Sequence, residues 1–417
     1  MNAPNLLRSV AILPFALLAG CQFLQRAPEV EAPVVVAPPP PPVVYAPTAT
    51  HRFQFDPART EVVGQLQVTK VGEEDTMSDI ARRFNLGYEE VLRANPGVDP
   101  WLPGVGREIV LPTRFVLPDA PYEGLVVNLA ALRVYYFPKR KEGELQTVIT
   151  HPIGIGKVGW QTPEGVTKVT AKRKDPVWTV PASVRAEHKK NGDPLPARVG
   201  PGPDNPLGAF AMNLGWPSYL IHGTNKPYGV GMRSSHGCIR LYPEDIAPLF
   251  MSMTVGTKVT VVNQPITFGW EGDALHMQIF PILEDDVRRE GDGARKLLTE
   301  AMSAHMEKRV KQHQVAIDLE LINSIAAAPR GITVPISKQG TTLDAVLAST
   351  RHVENILPTG ASWDGKKELR ISAAEFEALL ADTPEAIPAS APKPAAKPAA
   401  KPAAPTTPSK SAAGATP

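Results

Sequence analysis

The chain has 417 residues, with 44 Lys and Arg against 42 Asp and Glu, a formal net charge of +2. That length allows two or three domains. A near-neutral balance, with no basic run outside the C-terminal tail, argues against a dedicated nucleic-acid binder, which needs a concentrated positive face. The 45 prolines cluster toward both termini, so folded material is expected in the middle.

The N-terminus reads as an export segment over residues 1–20. Arg8 supplies a positive start, and Val10 to Leu18 is a short apolar run. Nine residues are too few to span a hydrocarbon core of ~30 Å, so this is a signal segment and not a membrane helix. Leu18-Ala19-Gly20-Cys21 closes the run and resembles a bacterial lipobox. That resemblance implies that Cys21 becomes the acylated mature N-terminus, and several acyl chains on one residue make a stable anchor. Gln22 follows the cysteine, which in lipoproteins of this type suggests the outer membrane. The expected location is the periplasmic face of the cell envelope, lipid-anchored. Residues 21–60 read as a Pro-rich linker. Its Ala27–Thr50 stretch should populate polyproline II and span up to ~75 Å.

Residues 66–113 form a compact unit. A β-like run from Leu66 to Val71 precedes Met77 to Phe84, where Met77, Ile80, Ala81 and Phe84 fall on one helical face. A second helix from Tyr88 is stopped by Asn95-Pro96, and Arg107 to Pro112 reads as a closing strand. This β-α-α-β order resembles a LysM domain. The resemblance rests on Asp75-Thr76-Met77-Ser78, Ile80-Ala81, Leu92-Arg93-Ala94-Asn95-Pro96 and Ile109-Val110-Leu111-Pro112. It implies binding to N-acetylglucosamine-containing glycan, here peptidoglycan.

Residues 122–264 alternate short β-branched runs with Gly and Pro turns. The clearest strands are Val126–Leu129, Arg133–Phe137, Thr147–Ile149 and Lys258–Val262, and a helix is expected over Glu244–Met251 after Pro243. The expected fold is therefore a mostly β domain, sandwich- or barrel-like, preceded by the small βααβ unit and followed by a helical C-terminal extension over residues 265–383. Within that extension a hairpin is expected around Ile266–Pro281. Leu298, Met302, Met306 and Val310 recur every four residues as a core stripe, on helices expected to pack against the β domain. Residues 384–417 are an Ala/Pro/Lys tail with four lysines and one glutamate, of a composition that cannot build a core.

The chemistry concentrates in Tyr219-Leu220-Ile221-His222-Gly223-Thr224 and Ser234-Ser235-His236-Gly237-Cys238-Ile239-Arg240-Leu241. The only cysteine besides Cys21 is Cys238, left without a partner in a compartment that favours disulfides. A thiol is mostly protonated at neutral pH and needs a base or a cationic neighbour to act as nucleophile. His222 lies 16 residues upstream at the end of an apolar run, and the Gly-rich loop between allows the chain to fold back. Such a cysteine–histidine pair supports acyl transfer through a thioester. Gly237 lets backbone approach a substrate, so the Gly237 and Cys238 amides are candidate oxyanion donors. Arg240 falls on the side of Cys238 if the stretch is extended and suits a substrate carboxylate.

Jointly these residues resemble the L,D-transpeptidase catalytic (YkuD-type) family. The family pattern is a histidine, a spacer of this length, Ser/Thr-His-Gly-Cys, then Arg or Asn two residues on. His151-Pro152-Ile153-Gly154-Ile155-Gly156-Lys157, Trp160-Gln161-Thr162-Pro163-Glu164-Gly165 and Asn205-Pro206-Leu207-Gly208 agree with it. The resemblance implies Cys238 as nucleophile, His222 as general base, and Gly237 and His236 as further catalytic-site residues, with Arg240, Ser235 and Gly223 binding substrate. No cofactor or metal is implied. The acyl donor is a peptidoglycan stem peptide, attacked at an L-centre residue that precedes D-Ala. The acceptor amine is either another stem peptide or a lysine of an envelope protein. Water as acceptor would make the chain an L,D-carboxypeptidase, an inert β domain would make it a glycan-binding tether, and a metal held by His222, His236 and Cys238 is a further rival.

Overall fold

The computed structural model describes residues 51–290, 293–309 and 316–356. The signal segment, Cys21, the spacer through Thr50, Val310 and the Ala/Pro/Lys tail lie outside the described residues.

The first strand corrects the expected linker boundary. β1 (His51–Phe55) pairs antiparallel with a central-domain strand along its whole length. Its HRFQF alternation buries His51 and Phe55, so residues 51–55 belong to the folded sheet and not to the spacer. β2 (Val62–Gly64) then leads into the LysM-like unit. There β3 (Gln67–Lys70) pairs antiparallel with β4 (Glu108–Leu111) around α1 (Met77–Arg83) and α2 (Tyr88–Ala94). Thr76 and Asp79 close a reciprocal capping box at the start of α1, which satisfies two otherwise orphaned amides. The Asn95 amide donates to Val91 O and Val110 O and accepts from Val110 N–H, all at 2.8 Å. The Asn-Pro stop thus also ties α2 to β4.

After β5 (Arg114–Val116), which pairs with β2, the central domain is built on one nine-stranded, half-barrel sheet. Its strands include β6 (Gly124–Asn128), β7 (Arg133–Phe137) and β8 (Gln146–Pro152). The short β9 (Ile155–Gly156) precedes the long β10 (Gly165–Lys174), which is followed by an excursion: β11 (Trp178–Thr179), α3 (Ala182–Lys190) and β12 (Arg198–Val199). The chain returns through β13 (Phe210–Leu214), β14 (Leu220–His222), β15 (Arg233–Ser235) and β16 (Ile239–Arg240), then α4 (Pro243–Ser252) and β17 (Lys258–Val262). The sheet order is β1-β8-β7-β6-β17-β10-β13-β14-β16. Within this sheet only β6–β17 and β14–β16 are parallel.

β6 explains why its run reads Leu-Val-Val without alternation. Leu125 and Val127 face one core, with Val169, Met212, Ile221, Ile239 and α4's Ile246 and Leu249. Val126 faces a second core, shared with Met77, Ile80, Val91 and Ile109 of the LysM-like unit and with Tyr135 and Phe137 of β7. A strand buried on both faces has no polar side to show. The two domains therefore share one hydrophobic core across the sheet.

The described part of the C-terminal region, which ends at residue 356, combines strands and helices. β18 (Ile266–Glu271) and β19 (Ala274–Ile279) form the expected hairpin, and β20 (Val334–Pro335) joins it. Around it lie α5 (Gly293–Arg309), α6 (Leu319–Ala327) and α7 (Leu343–Ala348). Leu298 and Met302 pack, as a stripe should, on a core made by Phe268, Trp270, Met277 and Ile322, which belongs to this region's own sheet and not to the nine-stranded one. β21 (Arg351–His352) adds in parallel to β3 of the LysM-like unit.

Candidate active site

β14 and β16 lie side by side in parallel, Ile221 opposite Ile239 and His222 opposite Arg240. Ile221 and Ile239 point into the core, so alternation puts His222, Cys238 and Arg240 on the other face. Strand spacing then sets the Cα atoms of His222 and Cys238 about 8 Å apart, within reach of an imidazole and a thiol.

His222 is buried, and its Nδ1 lies 2.6 Å from Gly223 O. A carbonyl only accepts, so Nδ1 carries the hydrogen and the lone pair lies on Nε2. Burial, and secondarily the charge of Arg240, hold the imidazole down at about 3. Burial pushes the Cys238 thiol up, against smaller pulls from the Leu220 backbone and Arg240. The resting pair is thus a neutral thiol and a neutral imidazole. The half-buried thiol donates to Ser218 O at 3.6 Å.

The Ser-His-Gly-Cys turn is held from within. Ser235 is 1% exposed; its hydroxyl donates to Cys238 O at 2.6 Å and accepts from Gly237 N–H at 3.1 Å. Both bonds stay inside the turn, so the Ser235 hydroxyl shapes the loop that carries Cys238. The Gly223 N–H donates to Phe210 O and its carbonyl orients His222. Gly237 sits at φ +100, and a Cβ there would stand 2.8 Å from the Tyr219 ring, so only glycine fits. Its N–H is occupied by Ser235 and its carbonyl by Thr162 Oγ1 at 2.9 Å.

His236 is engaged by α3. Its Nε2 bonds Glu187 Oε2 at 2.9 Å, and its ring meets Trp160 edge-on at 4.8 Å. Glu187, on α3, also pairs with Lys157, which with His236 holds its carboxyl below the usual range. His236 therefore fastens the α3 excursion beside the Ser-His-Gly-Cys turn. Arg240 is half-buried. Its Nη1 makes only long contacts to Ser234, 3.4 and 3.5 Å, and its Nε is buried without a hydrogen-bond partner among the described residues. Such an unsatisfied guanidinium suits an incoming carboxylate.

The flanking motifs serve this geometry. Gly154 exchanges both backbone hydrogen bonds with Arg240 at 2.9 Å. A Cβ on Gly156 would overlap Trp160 O at 1.7 Å. Asn205 ties Pro176 O, Gly200 O and Leu207 N–H together, and Gly208 packs under Thr224 N at 2.8 Å from a hypothetical Cβ. Among the described residues no three His, Cys, Asp or Glu side chains group so as to hold a metal ion. Sequence reasoning missed Glu187, because α3 reads as an ordinary exposed helix. It also missed the specific tasks of Lys157 and Thr162, although both stand in motifs that agree with the family.

The YkuD model, the L,D-transpeptidase catalytic domain, matches residues 123–261, and the LysM domain model matches residues 69–112. The chain is 38% identical over 296 residues to the probable L,D-transpeptidase YcfS of Escherichia coli K12, across 65% of this chain and 91% of that protein. It is 42% identical over 231 residues to the probable L,D-transpeptidase YbiS of the same strain, across 55% and 73%. It is also 42% identical over 224 residues to the probable L,D-transpeptidase ErfK/SrfK of Salmonella typhimurium LT2, across 53% and 71%. With this catalytic domain behind a LysM domain, and with relatives so extensively matched, the chain belongs to the L,D-transpeptidase family.

Proposed function

We propose that Cys238 and His222 carry acyl transfer on peptidoglycan stem peptides. The observation behind this reading is the contact of His222 Nδ1 with Gly223 O, which makes Nε2 the basic nitrogen of a histidine on the strand face that bears Cys238. Nε2 takes the thiol proton as Sγ attacks the carbonyl of the L-centre residue before D-Ala. Because both groups rest neutral, the ion pair forms only as the reaction proceeds. The tetrahedral oxyanion is received by the Cys238 amide, the Gly237 amide being engaged by Ser235 in the resting turn. Collapse breaks the peptide bond, His222 returns the proton to the departing D-Ala amine, and the acyl group remains on sulfur as a thioester. An acceptor amine then attacks, gives a proton to His222, and the thiol is released reprotonated.

Arg240 binds a carboxylate of the donor, and the LysM domain holds glycan strands. Cys21 is acylated and tethers the enzyme to the membrane, on the periplasmic side of the outer membrane. The acceptor is a stem peptide or an envelope-protein lysine. Incubation of the protein with tetrapeptide muropeptides, read by mass spectrometry, should release D-Ala and give cross-linked tripeptide products. Cys238→Ala should give none. Full activity in that variant would overturn the mechanism, and tripeptide with no amine-linked product, even with acceptor supplied, would mark a hydrolase.

A further inference from the structure

The LysM segment from Arg82 to Glu90 touches the catalytic motif from both sides. Ahead of Cys238, the Tyr88 and Glu89 amides donate to Val230 O and Gly231 O, each at 3.3 Å. Those carbonyls belong to the loop that joins His222 to Cys238. Gly87 and Gly231 meet backbone to backbone: a Cβ on Gly87 would lie 2.8 Å from Gly231 Cα, and one on Gly231 would lie 2.2 Å from Gly87 Cα. Gly231 N–H donates in turn to Ile153 O at 3.2 Å, next to Gly154, whose backbone brackets Arg240. Beyond Cys238, the Tyr242 hydroxyl donates to Leu86 O at 3.1 Å and Asn85 Nδ2 to Asp245 Oδ1 at 2.7 Å. Arg82 pairs with Glu244 through two bonds of 2.8 and 3.0 Å.

A module that merely tethers an enzyme to its polymer needs none of this. Interfaces between independent domains are more open and let the domains move. Here Arg82, Asn85, Glu90, Glu244 and Asp245 are all buried. Polar groups buried in a network add little net stability but enforce one arrangement. The arrangement enforced is that of residues 230–245, the stretch that carries the nucleophile.

We propose that the LysM segment Arg82–Glu90 is a positioning element of the acyl-transfer site, with Gly87 its contact point: it seats Cys238 and Arg240 through Val230–Gly231 and Gly154. The inference rests on the acyl-transfer reading above. It makes the LysM domain part of the catalytic machinery even for substrates that carry no sugar.

The test uses the full chain with Gly87→Ala. Gly87 has an ordinary negative φ, so the added methyl acts by pushing the 230–231 loop and not by straining its own backbone. The substrate is a sugar-free stem tetrapeptide, which takes glycan binding out of the measurement. Turnover should fall about ten- to a hundredfold, the cost of a small displacement in a preorganised site. The pH midpoint for alkylation of Cys238 by iodoacetamide should move toward that of an ordinary thiol, while pelleting with insoluble peptidoglycan stays unchanged. Val105→Ser, on the exposed LysM surface, should leave turnover and midpoint as they were. If Gly87→Ala does not fold, Tyr242→Phe removes only the hydroxyl bond to Leu86 and should shift the midpoint in the same direction. A folded variant with a lowered melting temperature but wild-type turnover and midpoint would reduce the contact to a structural one and overturn the proposal. Turnover lost with an unmoved midpoint would overturn it as well. Should the unaltered protein fail to process the peptide, the acyl-transfer reading falls, and the alkylation profiles alone still decide the seating of Cys238.

Discussion

Replacing Arg82 with alanine gives the sharpest stability forecast. Its guanidinium holds both oxygens of Glu244, and the two side chains are 8% and 2% exposed. Burial pushes the Glu244 carboxyl above the usual range, and Arg82 is the main influence drawing it back. Arg82→Ala therefore strands a buried carboxylate, which costs about 3–5 kcal/mol, a melting shift on the order of 10 °C. The exposed Lys258–Glu123 pair at 3.2 Å is the control: Lys258→Ala should cost under about 1 kcal/mol. The pH dependence has a definite sign. A carboxyl whose folded pKa is raised destabilises the fold as pH climbs from its unfolded value through its folded one. The Arg82→Ala deficit should thus be larger near pH 8 than near pH 5, and Arg82→Met with Glu244→Leu should recover most of it. Urea denaturation across that range measures both. A deficit below about 1 kcal/mol, or one independent of pH, would refute the reasoning.

Alkylation of Cys238 by iodoacetamide should show a midpoint above the ordinary thiol range and no reactive plateau in mild acid, because burial keeps both Cys238 and His222 neutral at rest. A plateau reaching down through the range of an unperturbed histidine would instead reveal a preformed thiolate–imidazolium pair. Cys21→Ser should move the protein from the membrane fraction to the soluble periplasm, as fractionation and immunoblotting would read; unchanged partition would refute the acylated anchor.

The elements legible in the sequence were those whose pattern has a local cause. Met77, Ile80 and Ala81 mark α1 because one helix face is buried, and Asn95-Pro96 marks the end of α2 because Asn95 satisfies three backbone groups. Cys238 and His222 stand out as candidates by residue type and spacing. The bonds Ser235 makes inside its own turn were not legible, since a serine in a motif looks the same wherever its hydroxyl points. β1 was hidden because five residues beside a Pro-rich run show strand character only once Phe55 and His51 have a sheet to cover. The fusion of the LysM domain with the catalytic domain depends on contacts between residues up to 162 positions apart, and no window of sequence shows them.

Cys238 as the acyl-bearing nucleophile, activated by His222, can be trapped directly. A carbapenem such as meropenem offers a strained lactam carbonyl to the same nucleophile and oxyanion donor. After incubation with meropenem, intact-mass measurement and peptide mapping should find one drug mass, located on Cys238. It should be absent from Cys238→Ala and much slower to form on His222→Ala. A drug adduct on Ser235, or on any other residue while Cys238 stays unmodified, would rule out Cys238 as the nucleophile.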